Sequence, residues 1–255
     1  MAFIHYRTKG FIFKKTARFE ADILFTIFTY DFVKIEVVGR AIRKITSKLR
    51  AGAELFYLSE IEFIQGKSYK TLTDSVVLEK FIGIREDIEK LKIAYQIAEV
   101  LDNLIKGEQK DGEIFDLLNE LFIKLNTYQL TNLPTYQLFY YYFLWNLLSI
   151  LGYQPELFKC VICQNPVDLY NRVYFSVKEG GVICSACAKS KKEVEEIDSD
   201  TVKILRIILP RTFSEKKVRG LKGDWQTVSK LKIGNTSQKL LKNITENYYF
   251  NLLRG

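Results

Sequence analysis

With 255 residues and 47% hydrophobic composition, the chain can bury a substantial core and is not a disordered polymer. Its formal charge is +8, a basic balance that favours a polyanionic partner. The charge is unevenly spread: residues 1–80 carry a net +5, residues 81–202 a net −6 and residues 203–255 a net +9. Two basic ends therefore flank an acidic middle, and a merely solvated lysine-rich surface is the bland alternative.

Residues 1–80 read as strands. Gly10-Phe11-Ile12-Phe13-Lys14-Lys15 opens the pattern, and Ile23 to Thr29 follows, rich in β-branched and aromatic residues. Tyr30-Asp31 marks a turn, and Val33 to Gly39 alternates with a period of two. Leu55 to Ile64 and Tyr69 to Leu72 are the fourth and fifth runs, with Gly66 in the turn between them. Five short strands in so few residues suit a small barrel, and the OB-fold is the commonest nucleic-acid binder of that size. The fold class expected is thus α+β and multidomain. An N-terminal OB-fold occupies 1–80, and a mainly helical domain is built from 81–155 and 191–255. A four-cysteine zinc ribbon is inserted at 156–190.

Near residue 78 the period becomes helical. Phe81, Ile84, Ile88, Leu91, Tyr95 and Ala98 recur at spacings of three and four, and Gly107 marks an end. A second amphipathic run has Ile114, Leu117, Leu118, Leu121, Phe122 and Leu125 on one face, with Asp111 as its cap. From Leu125 to Pro155 no residue is charged. That length raises the question of a membrane span. Gln137, Asn146, Ser149 and several tyrosines, with no basic flank, argue instead for the buried centre of a helical domain. Helices are also expected over Ser199–Leu209 and from Thr236 to about Leu252, and Lys189 to Glu196 reads as a charged linker.

All four cysteines fall into two matched pairs. Cys160-Val-Ile-Cys163 is followed by twenty residues and then Cys184-Ser-Ala-Cys187. This is the spacing of a four-thiolate zinc site, in which two knuckles close a tetrahedron at about 2.3 Å from one ion. Asn165-Pro166 and Gly180-Gly181 supply turns between them, and Val173 to Val177 reads as a strand. An iron–sulfur cluster also takes four thiolates, and that alternative stays open at this level. Disulfides would need an oxidising compartment, and Met1 to Arg7 lacks a signal-peptide core. Cytoplasmic location is the expectation.

Catalytic signatures are absent: no phosphate loop, no Gly-x-Gly-x-x-Gly, no His-Glu-x-x-His and no Gly-x-Ser-x-Gly. The lone histidine, His5, sits in a strand context, and Glu86-Asp87 and Glu195-Glu196 read as solvated faces. The basic segment after the third strand is more telling. Arg40, Arg43, Lys44, Lys48 and Arg50 put five positive charges into eleven residues, interspersed with Thr46, Ser47 and Gly52. A cationic loop beside a small barrel can follow a single-strand backbone while aromatic rings stack on bases. Phe11, Phe13 and Tyr57 could supply rings, against the alternative that they are core. With Lys14 and Lys15 of the first strand, the loop cations form the candidate DNA-contact set.

These parts together resemble the RecO family of bacterial recombination mediators, over nearly the whole chain. Thr8 to Lys15 with Glu20-Ala21-Asp22 is similar to its first strand and acidic turn, and Gly39-Arg40 through Lys48 to its basic loop. Leu151-Gly152-Tyr153-Gln154-Pro155-Glu156-Leu157 running into Cys160 and Cys163 is the most specific match. Gln164 departs from the glycine usual after the second cysteine. The resemblance implies a non-enzymatic protein that binds single- and double-stranded DNA and anneals complementary strands. It also implies help in loading recombinase onto DNA coated by single-stranded DNA-binding protein. Many members of the family have lost some or all of the cysteines, so the resemblance does not require zinc; this sequence keeps all four, and one structural zinc ion is expected on Cys160, Cys163, Cys184 and Cys187. RecR and the acidic tail of the coating protein are the implied partners, with Arg206, Arg211, Lys216 and Lys217 as candidates for the tail. The rival from another class is a zinc-ribbon interaction scaffold whose basic ends touch nucleic acid or ribosome; a nuclease is a third.

Overall fold

The computed structural model describes residues 4–106, 112–129, 133–209 and 225–254. Strands β1 (His5–Arg18), β2 (Asp22–Thr29), β3 (Val33–Gly39), β4 (Leu58–Gln65) and β5 (Lys70–Glu79) close into a barrel of order β1-β2-β3-β5-β4. All neighbours run antiparallel except β3 and β5, whose parallel pairing spans Val37↔Lys70 and Val38↔Thr71. This is the expected OB arrangement, in which closure leaves no free sheet edge. Period-two alternation turns Ile12, Phe25, Ile27, Ile35, Val37, Ile61, Phe63 and Leu72 inward as its core.

One irregularity in β1 decides where its lysines go. Ile12 pairs with Ile27, but Lys14 pairs with Thr26 and Lys15 with Phe25, so Phe13 is the extra residue of a bulge. Without it Lys14 would follow Ile12 on the inner face. With it, Lys15 takes the inner track beside Phe25 at the barrel mouth, and Lys14 goes to the outer wall.

Phe11 and Phe13 also lie on the outer wall, yet both are buried. They pack against Phe81 and against Phe115 and Phe122 of α3 (Gly112–Thr127), with ring centroids 5.2–6.3 Å apart. They are core, which removes them as base-stacking candidates. The helical stretch after the barrel breaks where the sequence pattern runs on. A single turn, α1 (Ile82–Arg85), ends before Asp87, whose carboxylate accepts from the N–H groups of Glu89 and Lys90 and starts α2 (Ile88–Leu104) afresh. The buried stripe of α2 is therefore Lys90, Ile93, Ala94, Ile97, Ala98, Val100 and Leu101; Ile88 and Tyr95 of the expected stripe are exposed. Lys90 is accommodated by donating to the Asn126 carbonyl in the last turn of α3, where a cation is favourable. The expected face of α3 is the buried one, and its proposed cap, Asp111, lies outside the described residues. Helices α1 to α3 lie in the same compact unit as the barrel: the first unit runs Met1–Gln129 and the second Leu130–Gly255.

In the second unit, α4 (Leu133–Ile150) is the uncharged helix and is sunk on all sides from Tyr141 to Leu148: Tyr142, Phe143, Leu144, Trp145, Leu147 and Leu148 are among its buried residues, with Phe139 just before them. Its polar atoms are matched. Trp145 Nε1 donates to Thr245 Oγ1 at 3.1 Å, and Asn146 Nδ2 to the Ile208 carbonyl at 3.0 Å. Those acceptors lie on α8 (Asn235–Arg254) and α6 (Ser199–Ile208), and the latter is capped by Asp198. A short turn, α7 (Trp225–Val228), went unanticipated; its Trp225 packs on Phe139 and Tyr142. No helix among the described residues is long and apolar enough to cross a membrane. The ribbon comprises β6 (Val173–Ser176), β7 (Gly181–Cys184), the turn α5 (Ser185–Ala188) and β8 (Glu195–Ile197), in sheet order β7-β6-β8. Thus part of the supposed charged linker is a third strand: β8 pairs with β6, because Ile197 can bury there while Glu196 stays in water.

Candidate nucleic-acid interface and metal centre

The 40–52 loop is built onto one end of the barrel. Asp22, at the start of β2, accepts from the Ala41 N–H at 2.7 Å, and the Arg43 N–H donates to the Ala21 carbonyl. The far end of the loop coils into a 3-10 turn (Lys48–Ala51) and is fixed at Gly52, whose carbonyl accepts from both Ser59 and Ser75 hydroxyls. A side chain at Gly52 would meet the Ser75 carbonyl at 1.8 Å, so the loop reaches β5 only because this residue has none. Between these anchors Arg43, Lys44, Lys48 and Arg50 are exposed. Among the described residues, none of them has a carboxylate within 4 Å.

Arg40 donates to the Tyr69 hydroxyl and lies over its ring at 5.4 Å. Arg18 lies over the same ring at 5.1 Å and over Phe19 at 5.7 Å. Phe19 is 80% exposed at the β1–β2 turn. Arg18 and Phe19 sit at the β1–β2 turn and Tyr69 at the β4–β5 turn, where OB-folds take up oligonucleotides, and Arg40 reaches them from the end of β3. Arg18, Phe19 and Tyr69 escaped the sequence reading, since only barrel closure brings residues 18, 40 and 69 together. Tyr57 carries Arg85 over its ring at 4.8 Å.

The two lysines of β1 differ. Lys15 joins Arg43 and Arg50 in lining a cleft of about 280 Å³ with Ile23, Phe25, Ile42, Ala53 and Glu54. Its Nζ is 2.7 Å from Glu54. Lys14 points to the opposite wall, 3.8 Å from Asp102, which also pairs with Lys34 at 3.1 Å. Lys14 is thus separated from the loop cations.

The four cysteine sulfurs lie within 4.8 Å of one another, with Cys163 and Cys184 3.9 Å apart. A tetrahedron with bonds of about 2.3 Å has edges of about 3.8 Å, so the constellation fits a single ion. Main-chain donors also address the sulfurs, as in the Cys184 N–H, 3.4 Å from Cys160 Sγ. Burial pushes the Cys160 thiol up, but the N–H groups of Cys163, Cys184 and Ile162 outweigh it and draw it down to about 6. Cys187, hydrogen-bonded to Cys184, is pushed up to about 12. The first knuckle turns at Gln164, with φ of 61°, in the left-handed region that favours glycine. Gln164 keeps this conformation while its side chain donates to the Val161 carbonyl and its N–H to the Cys160 carbonyl.

Of the proposed tail contacts, Arg211, Lys216 and Lys217 lie outside the described residues. Arg206 donates two hydrogen bonds to the Leu157 carbonyl, at 2.6 and 3.1 Å, and lies over the Phe158 ring at 4.5 Å. Burial draws its pKa below the ordinary guanidinium value. It clips α6 to the segment that enters the ribbon.

A closed five-stranded barrel with a cationic, aromatic end, followed by a helical region and a four-thiolate cluster, defines an OB-fold protein with a ribbon. Residues 1–81 match the family model for the Recombination protein O N terminal, and residues 85–255 that for the Recombination protein O C terminal. The DNA repair protein RecO of Dehalococcoides mccartyi is 32% identical over 209 residues, covering 82% of this chain and 80% of that protein. The DNA repair protein RecO of Acetivibrio thermocellus is 29% identical over 252 residues, covering 97% and 95%. The chain belongs to the RecO family, and its role lies in DNA repair and recombination.

Proposed function

We propose that the protein binds single- and double-stranded DNA, anneals complementary strands and helps load recombinase onto strands coated by single-stranded DNA-binding protein. The observation that carries this reading is the cationic loop anchored on the open end of the barrel, beside the Arg18–Tyr69–Arg40 stack. Annealing needs no catalytic base. Two strands repel one another, and a surface that neutralises both lowers that barrier. In this reading Arg40, Arg43, Lys44, Lys48 and Arg50 contact phosphates, Arg18, Phe19 and Tyr69 offer faces to bases, and Lys15 stands in the adjoining cleft, paired with Glu54. Lys14, held by Asp102, contributes least.

The division of labour follows the chain. The barrel of 1–80 handles DNA, and the helical parts, 81–155 and 191–255, receive RecR and the tail of the coating protein near Arg206, Arg211, Lys216 and Lys217. The ribbon holds one structural zinc ion on Cys160, Cys163, Cys184 and Cys187, closed to substrate. The cytoplasm, at the nucleoid, is the corresponding location.

Replacing Arg40, Arg43, Lys44 and Lys48 by Glu is expected to abolish annealing of complementary oligonucleotides pre-coated with their binding protein, while the thermal unfolding profile is unchanged. Annealing at the wild-type rate in that variant would sink the reading. Degradation of DNA by the purified protein with magnesium would favour a nuclease instead. Failure to bind DNA at all would favour the ribbon scaffold.

A further inference from the structure

The cleft at the barrel mouth contains a conflict. Lys15, Arg43 and Arg50 line it, and so does one carboxylate, Glu54, seated 2.7 Å from Lys15 Nζ. The Lys15 side chain is only 19% exposed and passes over the Phe25 ring at 5.8 Å, so its ammonium cannot swing out freely into water. The β1 bulge put it there, and a half-buried ammonium needs an anionic partner. In the free protein Glu54 is that partner. A phosphodiester brought in by Arg43 and Arg50 would compete for the same ammonium.

We propose that this cleft is a phosphodiester subsite of the DNA interface, and that Glu54 occupies it as an internal competitor of the DNA backbone. The inference rests on the DNA-binding reading above and goes beyond it by assigning one cleft and one opposing residue. Glu54 keeps one cation from counting towards binding, so the strand is held less tightly than the number of positive charges allows. An annealing protein must release its product duplex, and a built-in competitor speeds that release.

Glu54→Gln removes the competing charge and retains the shape. Lys15 then neutralises one more phosphate. The slope of log K against log salt should steepen by about 0.7 for single strands, which is about fivefold tighter binding at roughly 0.1 M salt. Removing a carboxylate anywhere adds some attraction, so Glu62→Gln serves as a control. Glu62 lies opposite Arg7, most of the length of β1 away from Lys15. At that separation salt screens the effect, and the change should stay below about twofold. Lys15→Ala combined with Glu54→Gln should return both affinity and slope to wild-type values.

The measurement is fluorescence anisotropy of a labelled single-stranded oligonucleotide, titrated with the full-length protein at several salt concentrations. A steeper slope for Glu54→Gln that the added Lys15→Ala cancels supports the proposal. An effect no larger than that of Glu62→Gln overturns it, as does weaker binding, which would make Glu54 a residue that positions Lys15. Neither of those results touches the DNA-binding reading, which in this assay fails if wild-type protein does not bind or if Arg43→Ala and Arg50→Ala leave binding unchanged.

Discussion

Replacing Cys160 by serine should unfold the ribbon while leaving the barrel in place. Cys160 is the fully buried member of the four-cysteine cluster, and its sulfur receives the Cys184 N–H. The apolar cluster around the sulfurs is small: Cys160, Ile183 and Ala188 are buried, with Val161, Val167, Tyr174 and Val194 partly covered around them, while the other face of the sheet buries Val173, Phe175, Val182 and Ile197. Within that sulfur-side cluster Ile183 is the fully buried large aliphatic among the described residues, a contribution of about 1.5–3 kcal/mol. A structural zinc site contributes an apparent ~10–16 kcal/mol near neutral pH, so on the zinc proposal the ion, and not the sulfur-side cluster, is the larger stabiliser of that face. Metal analysis should find about one zinc per wild-type chain and much less in Cys160→Ser. Hydrogen exchange should show amides of Val173–Ser176 and Gly181–Cys184 losing protection, while those of β1 and β2 keep it. DNA annealing should fall only as far as folding does. A Cys160→Ser protein that lacks metal yet keeps those ribbon amides protected would refute the reasoning, and a folded one selectively dead in DNA binding would give the ribbon a direct role.

Three further outcomes are expected. Thr245→Val preserves volume but deprives Trp145 Nε1 of its buried acceptor, so urea unfolding should show a loss of about 1–3 kcal/mol. Gln164→Gly relieves a left-handed backbone and should stabilise the first knuckle by a few tenths to about 1 kcal/mol, seen as slower metal release to a chelator; faster release would mean the Gln164 hydrogen bond outweighs the strain. Burial raises the Asp198 carboxyl pKa, but hydrogen bonds from Thr201 and Ser237 outweigh that and hold it below its ordinary value. A lowered folded pKa gives stability that is present above the unfolded value of 3.8 and lost as pH falls through the folded one. Asp198→Asn should therefore be less stable than wild type at neutral pH and converge with it in acid, as read from denaturation midpoints at stepped pH values; a constant difference would show that the charge contributes nothing.

The parts that sequence made legible are those specified locally. Two Cys-x-x-Cys knuckles announce their chemistry by spacing, and the period-two run of β3 fixes which of its residues face inward. The uncharged helix declared itself a buried centre because a helix apolar on all sides has nowhere else to go. Devices acting between distant segments stayed hidden. No local pattern distinguishes Lys14 from Lys15; a one-residue bulge sends them to opposite walls. Asp87 looked like half of a solvated acidic pair, whereas it caps α2 and resets its buried stripe. Arg18, Phe19 and Tyr69 become one surface only once β3 pairs with β2 on one side and with β5 on the other. Glu195–Ile197 has the composition of a linker and becomes a strand because β6 offers it an edge.

The central claim, that the 40–52 loop grips the DNA backbone, is tested most directly by the salt dependence of single-strand affinity. Five loop cations at about 0.7 per phosphate predict a log–log slope near −3.5, a loss of roughly a hundredfold between about 50 and 200 mM salt. With Arg40, Arg43, Lys44 and Lys48 replaced by Glu, the slope should collapse towards zero and the affinity with it. A variant that retains the wild-type slope and affinity would contradict the account and place the DNA elsewhere on the protein.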